Sequence, residues 1–266
     1  MKIERNDRRN LCGVSNPEAI PQIHPGRGDI LVRANEIRPD LEKQEKVIIV
    51  GDSAFAEIAY EYFNYDPKYE VVAFSVETAF LRKKELFGLP VLPFEDLEKR
   101  YSPSEHKIFV AVTYIELNRV RTRLYRLAKE KGFSPVSYVS PRAFVWKNVE
   151  IGENCFIFEN NVIQPFVKIG NNVIMWSGNH IGHHSIIRDN CFISSHVVVS
   201  GFVDVGENCF LGVNSTIANN LRVAKDCIIG AGALILRDTE EGKVYKGNRA
   251  VLSQTSSLDV FKYKRR

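Results

Sequence analysis

The sequence has little that would place the protein in a membrane or in an oxidising compartment. Its 266 residues contain no apolar run near the ~20 residues that span a bilayer, and residues 1–10 lack the hydrophobic stretch of a signal peptide. There are five cysteines, an odd number, and no CxxC pair, which argues against a disulfide framework and a structural zinc site. We therefore expect a cytoplasmic protein with reduced thiols and no membrane partner.

An excess of charge of one sign is also absent. The sequence has 36 Lys+Arg against 32 Asp+Glu, and part of the net charge of +4 lies between Lys262 and Arg266. Such a small excess does not predict a nucleic-acid partner. Hydrophobic residues make up 44% of the chain, so most of the chain is expected to bury a core and fold.

A six-residue repeat fills the second half of the sequence. From Val149 to Asp238, fifteen hexads follow one another without an insertion, and the third position is always Ile, Val, Leu or Met. A helix has a period near 3.6 and a strand a period of 2, so neither explains this pattern. A column with three walls of short strands does explain it, because each strand then sends one side chain to a shared axis. Eighteen residues form one coil, which predicts about five coils.

The same spacing of 18 residues links residues in successive coils. Cysteines follow this spacing, and so do the residues that precede them: Cys155, Cys191, Cys209 and Cys227; Asn154, Asn172, Asn190, Asn208 and Asp226. Asparagine tolerates the left-handed backbone of a tight corner, and its amide can bond to the next coil. We therefore predict an asparagine ladder at one corner and cysteines that serve only as small interior side chains.

Residues 46–140 predict a small α/β unit. An apolar strand ends at Val50, two further strand-like segments follow, and an amphipathic helix stops at Gly132. Ligands of such parallel sheets bind at the carboxyl ends of the strands. The turn Gly51-Asp52-Ser53 is not a GxGxxG fingerprint, so it is a weak dinucleotide site. It can still hold a phosphate at the helix N-terminus, or it is a tight turn without a ligand.

An α/β unit followed by hexads resembles the hexapeptide-repeat sugar acyltransferases. The similarity is greatest to the group of sialic acid O-acetyltransferases and bacillosamine-type N-acetyltransferases. It covers about residues 46–250, and its motif is an aliphatic residue, Gly, two variable positions and a small residue. This motif occurs at Ile151-Gly-Glu-Asn-Cys155, Val205-Gly-Glu-Asn-Cys209 and Ile229-Gly-Ala-Gly-Ala233.

The resemblance implies a fold and a domain organisation. It implies a Rossmann-like nucleotide-sugar-binding domain over residues 46–140 and a left-handed parallel β-helix over 141–250. Residues 1–45 are then an extension or linker, and residues 251–266 are a C-terminal tail.

The resemblance also implies an activity. It implies acetyl transfer from acetyl-CoA to a nucleotide-linked sugar, most simply to an amino group, by a homotrimer with no metal. Two alternatives stay open: O-acetylation of a hydroxyl, as for a sialic acid, and a non-catalytic scaffold that binds a nucleotide sugar. A zinc site is disfavoured because three of the histidines fall at one coil.

The histidines carry the expected chemistry. Between Asn179 and Ser185 the hexad rule is broken, and His183 stands where the resemblance places the catalytic base. An imidazole can take the proton of the attacking acceptor near neutral pH. His184, also assigned to the catalytic site, occupies the position of the carboxylate that orients this base in close relatives. Asp189 or Glu159 is expected to replace that carboxylate.

Ligand contacts follow from the same resemblance. Five residues are expected to contact CoA, unless the small ones serve only the tight corners: Gly201, Gly212, Ala231, Gly232 and His196. Glu77 is included among the substrate residues because it follows the second strand, where the family has an acidic pair. The expected substrate contacts are Gly51, Asp52, Ser53, Glu77, Thr113, Tyr114 and His180, and weaker candidates are Asn118 and Arg119.

Overall fold

The computed structural model describes residues 45–262. Apart from Glu45, the extension or linker expected over residues 1–45 therefore lies outside the described residues. The α/β unit and the repeat belong to one compact unit. No helix among residues 45–262 is long and apolar enough to cross a bilayer.

The α/β unit is built on a six-stranded sheet. Its strands are β1 (Glu45–Val50), β2 (Tyr69–Val76), β3 (Glu85–Leu86), β4 (Leu89–Pro93), β5 (His106–Val110) and β6 (Ser134–Pro135). They lie in the order β3-β4-β2-β1-β5-β6, and every pair is parallel except β3 with β4. The helices are α1 (Ala54–Tyr65), α2 (Leu97–Arg100), α3 (Arg119–Glu130) and, near the end of the chain, α4 (Ser257–Val260). Single 3-10 turns occupy Thr78–Phe80 and Phe94–Asp96.

Burial on both faces explains the composition of β1. Its residues from Val47 to Val50 are at most 1% exposed, as expected for a parallel strand that is covered on both sides. The predicted strands are confirmed, and so are the helix that begins after Gly51-Asp52-Ser53 and the amphipathic helix before Gly132. The β3–β4 hairpin was not predicted, because its turn depends on the left-handed backbone of Phe87 and Gly88 rather than on apolar alternation.

The repeat forms a three-walled column of two-residue strands that pair in parallel. The docked wall consists of Tyr138–Val139, Phe156–Ile157, Ile174–Met175, Phe192–Ile193, Phe210–Leu211, Ile228–Ile229 and Val244–Tyr245. The apolar wall consists of Phe144–Val145, Val162–Ile163, His180–Ile181, Val198–Val199, Thr216–Ile217 and Leu234–Ile235. The charged wall consists of Glu150–Ile151, Lys168–Ile169, Ile186–Ile187, Asp204–Val205 and Arg222–Val223.

All fifteen predicted hexads lie in this column, and their third residues pack around its axis. The column also begins two hexads before Val149, with Val139 and Val145 at the same inward position. At its far end the spacing breaks, because Thr239 turns inward and its Oγ1 accepts a hydrogen bond from the Ala224 backbone N–H at 2.8 Å. The domain boundaries given above stay a prediction.

The asparagine ladder is confirmed. All five of its residues, from Asn154 to Asp226, have left-handed backbones with φ between 54° and 65°. The Asn154 amide donates to Oδ1 of Asn172 at 2.8 Å, and the Asn172 amide donates to Oδ1 of Asn190 at 2.9 Å. We call this edge, between the charged and docked walls, the asparagine corner.

The four cysteines of the repeat are fully buried beside the asparagine corner. The thiol of Cys155 donates to the Gly170 carbonyl at 3.1 Å, and that of Cys191 donates to the Gly206 carbonyl at 3.1 Å. Burial raises the pKa of Cys155 to about 12, which keeps it a thiol. Their predicted role as interior side chains is consistent with this packing.

The α/β unit packs on the docked wall through aromatic rings. Phe55 of α1 meets Phe156 edge to face at 5.7 Å, and Tyr62 meets Phe158 at 5.1 Å. Helix α3 lies against the asparagine corner, where the buried guanidinium of Arg121 donates to carbonyls of two successive coils.

Candidate active site

The outer faces of the other two walls differ in chemistry. The apolar wall presents Phe144, Val162, Val198 and Leu234, which are 36–60% exposed. His180 stands in the middle of this wall, between Val162 and Val198. The charged wall instead carries ion pairs, such as Lys168 with Glu150 at 3.1 Å. Only the apolar wall therefore leaves a large apolar face uncovered among the described residues.

His183 and His184 lie at the edge between the apolar and charged walls, which we call the histidine corner. Both side chains are exposed, and their Nδ1 atoms are 3.1 Å apart. The backbone N–H of His183 donates to Oε1 of Gln164 at 2.9 Å. Because Nδ1 of His183 is engaged, Nε2 is the ring nitrogen left to exchange a proton with a substrate.

His184 is held between two aromatic rings of the neighbouring coils. Its ring stacks on Phe166 at 4.6 Å and on Phe202 at 4.7 Å, with interplanar angles of 28° and 16°. All three residues have a left-handed backbone with φ between 58° and 64°, where asparagine or glycine is usual. These three corner positions therefore carry stacked rings, although a left-handed backbone by itself favours asparagine or glycine.

Gly201 lies directly against the His183 ring. A Cβ atom at this position would come within 2.9 Å of Nε2 of His183. Any larger residue would displace the imidazole or cover its Nε2 atom. The glycine that was expected to contact CoA is therefore part of the surface around His183.

Neither carboxylate expected to orient His183 reaches it. Asp189 lies at the asparagine corner, where its Oδ1 accepts from the Asn171 N–H at 2.8 Å. Glu159 accepts hydrogen bonds from Tyr62 at 2.8 Å and Ser177 at 2.6 Å. Burial acts to raise the pKa of Glu159, but these hydrogen bonds outweigh it and the pKa is lowered. Within one chain neither carboxylate therefore orients His183, and the side chain that contacts it is His184.

The remaining residues expected to contact CoA lie at a different edge. His196, Gly212, Ala231 and Gly232 belong to the turns between the docked and apolar walls, which we call the pocket corner. The His196 ring lies against Gly178, where a Cβ atom would come within 2.7 Å of it. The structure therefore does not bring these four residues to His183 within one chain, because the apolar wall separates the two corners.

A cavity of about 350 Å³ opens beside the pocket corner, at the carboxyl edge of the sheet. It is lined by the start of α1, the segment after β5, and the docked wall with its following turns: Ala54, Phe55, Ile58, Thr113, Tyr114, Trp176, Phe192, Ser194, Ser195 and Val213. Tyr114 packs edge to face on Phe192 at 4.9 Å. Nε1 of Trp176 is buried without a hydrogen-bond partner among residues 45–262. A ligand acceptor would satisfy this donor.

Two of the expected substrate residues, Thr113 and Tyr114, line this cavity. The turn of Gly51, Asp52 and Ser53 lies at the same edge of the sheet, directly before α1, but is not part of the cavity lining. Gly51 is required there, because its φ is 130° and a Cβ would lie 2.7 Å from the Ala111 carbonyl oxygen.

The other expected substrate residues have protein partners or lie elsewhere. Glu77 accepts two hydrogen bonds from Arg123, at 2.6 and 2.9 Å, so a substrate hydroxyl would compete with that guanidinium. Asn118 and Arg119 connect α3 to the asparagine corner: the Asn118 amide donates to the Asn208 carbonyl at 3.1 Å, and Arg119 pairs with Asp226 at 2.5 Å. Their contacts are structural.

Sequence reasoning missed Trp176, Phe192, Ser194 and Ser195 as cavity residues. A usable signal was present, because the outward positions of the hexads at 156, 192 and 210 are all phenylalanine. Phenylalanine at the outward position of several coils of one wall indicates that another part of the protein covers that wall.

No group of three or more His, Cys, Asp or Glu side chains within residues 45–262 is placed to hold a metal ion. In particular, the histidine corner brings together only two imidazoles, joined to each other through Nδ1.

Comparison with known proteins agrees with the fold. Residues 148–183 match the family model described as bacterial transferase hexapeptide (six repeats). No curated protein sequence matches the chain significantly. Among solved structures, the acetyltransferase domain of PglB from Neisseria gonorrhoeae FA1090 is 23% identical, with a TM-score of 0.69, over 76% of this chain and 97% of that domain.

Two solved structures from Caulobacter crescentus are also similar. A variant of perosamine N-acetyltransferase in complex with CoA and GDP-perosamine is 26% identical, with a TM-score of 0.67, over 76% of this chain and 93% of that one. PerB, solved with the same two ligands, is 27% identical, with a TM-score of 0.65, over 76% of this chain and 94% of that one. The left-handed parallel β-helix and the resemblance to the hexapeptide-repeat sugar acetyltransferases are thus confirmed.

Proposed function

We propose that this protein transfers an acetyl group from acetyl-CoA to the amino group of a nucleotide-linked sugar, with His183 as general base. The proposal depends mainly on the exposed ring of His183. Its Nδ1 contacts Nδ1 of His184, and its Nε2 lies next to Gly201. Two similar structures hold CoA and GDP-perosamine, which supports this pair of substrate classes. A cytoplasmic location is part of the proposal.

His183 would act on the proton of the acceptor amine. As the amine nitrogen forms a bond to the thioester carbonyl carbon, Nε2 takes its proton, so that the nitrogen carries no positive charge in the intermediate. When the carbon–sulfur bond breaks, the same proton passes from Nε2 to the CoA sulfur. Backbone N–H groups at the corner can stabilise the oxyanion that forms between these steps. An acyl-enzyme is not required, and the described cysteines are buried thiols.

The cavity at the pocket corner is the proposed site for the nucleotide-linked sugar. It lies at the carboxyl edge of a parallel sheet, where such folds bind ligands. Aromatic rings of Phe55, Tyr114 and Trp176 offer surfaces for a base or a sugar, and Ser194 and Ser195 offer hydroxyl partners. The unpartnered Trp176 Nε1 favours a ligand that carries acceptors.

The two corners explain why a homotrimer is part of the proposal. The base is at the histidine corner and the cavity is at the pocket corner, with the apolar wall between them. A second copy that packs against the apolar wall can bring its histidine corner to the pocket corner of the first. Three such contacts close a ring. The uncovered apolar side chains of this wall, Phe144, Val162, Val198 and Leu234, support that contact.

Changing Val198 to Asp is expected to separate the subunits. A carboxylate in an apolar interface loses its hydration without gaining a partner, which costs several kcal/mol. Light scattering after size exclusion should show the mass of one chain, and acetyl transfer should fall with it. The matched control is Arg222→Asp on the exposed charged wall, which should leave mass and activity unchanged. A Val198→Asp protein with the mass of wild type would contradict the proposed interface.

The proposed acceptor is tested by comparing an amino sugar with its hydroxyl analogue. Thermal shift with GDP- and UDP-linked sugars first selects the nucleotide, since a ligand of the native state raises the Tm. With acetyl-CoA and the selected amino sugar, CoA thiol release is expected, at a rate that falls as the pH drops, because an ammonium cannot attack. Equal or faster acetylation of the hydroxyl analogue would favour O-acetylation. A raised Tm without any acetylation would favour the non-catalytic scaffold.

A further inference from the structure

The histidine corner contains a second imidazole in direct contact with the base. Nδ1 of His183 and Nδ1 of His184 are 3.1 Å apart, which is hydrogen-bond distance. Within residues 45–262, no carboxylate or ammonium group contacts either ring; the rings otherwise contact Gly201 and the two phenylalanines, and Gln164 bonds only to the backbone N–H of His183. We infer that His184 is a positioning residue that orients His183 by sharing one proton with it through the Nδ1 atoms. This inference rests on the proposed function.

Counting protons shows what the contact requires. A hydrogen bond between two ring nitrogens needs a proton on one and a lone pair on the other. If His183 donates from Nδ1, its Nε2 is bare and can take the acceptor proton. If His184 donates instead, Nε2 of His183 is protonated and cannot act as a base. Only the first of these two states lets His183 act as a base. In that state His184 accepts the hydrogen bond from Nδ1 of His183, as a carboxylate does when it orients a histidine.

The proton balance closes within the pair. When Nε2 of His183 gains the amine proton, the pair holds one additional proton and one positive charge. That charge can remain on His183, or the Nδ1 proton can move across to Nδ1 of His184, which leaves His183 neutral with its proton on Nε2. The pair returns to its starting state when Nε2 gives its proton to the CoA sulfur. Apart from the acceptor amine and the CoA sulfur, no group outside the pair has to gain or lose a proton.

Stacking explains how an imidazole can accept a share of positive charge at an exposed corner. Phe166 and Phe202 present their ring faces to the two sides of His184, at 4.6 and 4.7 Å. A cation over an aromatic face is stabilised by the negative potential of that face. The same two rings fix the plane of His184 and so the direction of its Nδ1. Phe202 also meets His183 edge to face at 5.0 Å, which limits the tilt of the base.

A pair of substitutions separates hydrogen bonding from packing. His184→Phe keeps an aromatic ring in the stack but removes the Nδ1 acceptor. We expect kcat to fall roughly 10–100-fold with KM nearly unchanged, the size of loss seen when a hydrogen-bond partner of a functional histidine is removed. His184→Asn fits the left-handed corner and offers Oδ1 as an acceptor, so it should recover most of that loss. Equal Tm and equal mass of both variants show that folding and assembly are intact.

A second measurement does not depend on activity. Nitrogen spectra of the protein labelled with ¹⁵N-histidine should show Nδ1 of His183 protonated and Nε2 bare, and His184→Phe should abolish the coupling of the two rings. A wild-type kcat in His184→Phe, or a proton on Nε2 rather than on Nδ1 of His183, would overturn the inference. If the wild type transfers no acetyl group, the proposed function fails, and the spectra still decide whether the two imidazoles share a proton.

Discussion

Replacing His183 with alanine is expected to lower kcat by roughly 10²–10⁴-fold, the usual contribution of a general base. The change removes the ring that lies on Gly201. It leaves the coil intact, because the His183 side chain is exposed and the hydrogen bond to Gln164 comes from the backbone N–H, which alanine keeps. Affinity for CoA and the mass of the assembly should therefore change little. Steady-state release of CoA thiol, with light scattering on the same sample, measures both effects.

A histidine outside the site provides the control. His106 lies at the amino end of β5, away from the carboxyl edge that carries the cavity, and contacts the Ser102 carbonyl and the Tyr101 ring. His106→Asn should keep kcat within about twofold of wild type. A His183→Ala protein that retained wild-type kcat would remove His183 from the mechanism. The apolar-wall interface would then need another explanation.

The column could be predicted from sequence because each hexad carries its own signal. One inward aliphatic residue every six positions specifies a wall, and asparagine every 18 residues specifies a corner, without knowledge of the rest of the chain. The two additional hexads before Val149 carry the same inward valine, at Val139 and Val145. They were missed because Ser140 and Trp146 stand where the motif has glycine.

The His183–His184 contact was only partly predictable. The position of His183 followed from the break in the repeat, but a neighbouring histidine on a strand normally points to the opposite side. At a corner this rule fails, because the left-handed backbone of His184 turns both rings to the outside. The spacing of 18 residues does give Phe166, His184 and Phe202, so the aromatic stack was present in the sequence as a periodic signal.

The hydrogen bonds that hold the α/β unit on the asparagine corner could not be predicted. Arg121 belongs to a helix that reads as amphipathic, so an arginine on it is expected at the surface. The structure buries it completely, because its acceptors come from coils 51 to 70 residues further along the chain. Nothing in the local sequence of α3 specifies such a contact.

Arg121 uses all three of its guanidinium nitrogens to connect the two parts of the protein. Nε donates to Oδ1 of Asn172 at 3.1 Å, Nη1 donates to the Thr113 carbonyl at 2.7 Å, and Nη2 donates to the Asn190 carbonyl at 3.0 Å. Burial lowers the pKa of Arg121 to about 9, so the group is still charged at neutral pH. A buried charge without a carboxylate is tolerated here because carbonyl dipoles surround it. The Thr113 contact also holds the segment that lines the cavity.

Changing Arg121 to Met is therefore expected to lower the free energy of unfolding by about 3 kcal/mol or more, since each carbonyl or amide left buried without a donor costs ~1–3 kcal/mol. The apolar side chain fills part of the space, so the loss should come from the missing hydrogen bonds. Thermal unfolding and limited proteolysis measure it, and KM for the nucleotide-linked sugar should rise because Thr113 and Tyr114 lose their support. Arg126→Met, at an exposed position of the same helix, is the matched control and should change neither quantity. If Arg121→Met unfolded at the wild-type temperature, the asparagine corner would not hold the α/β unit through this guanidinium.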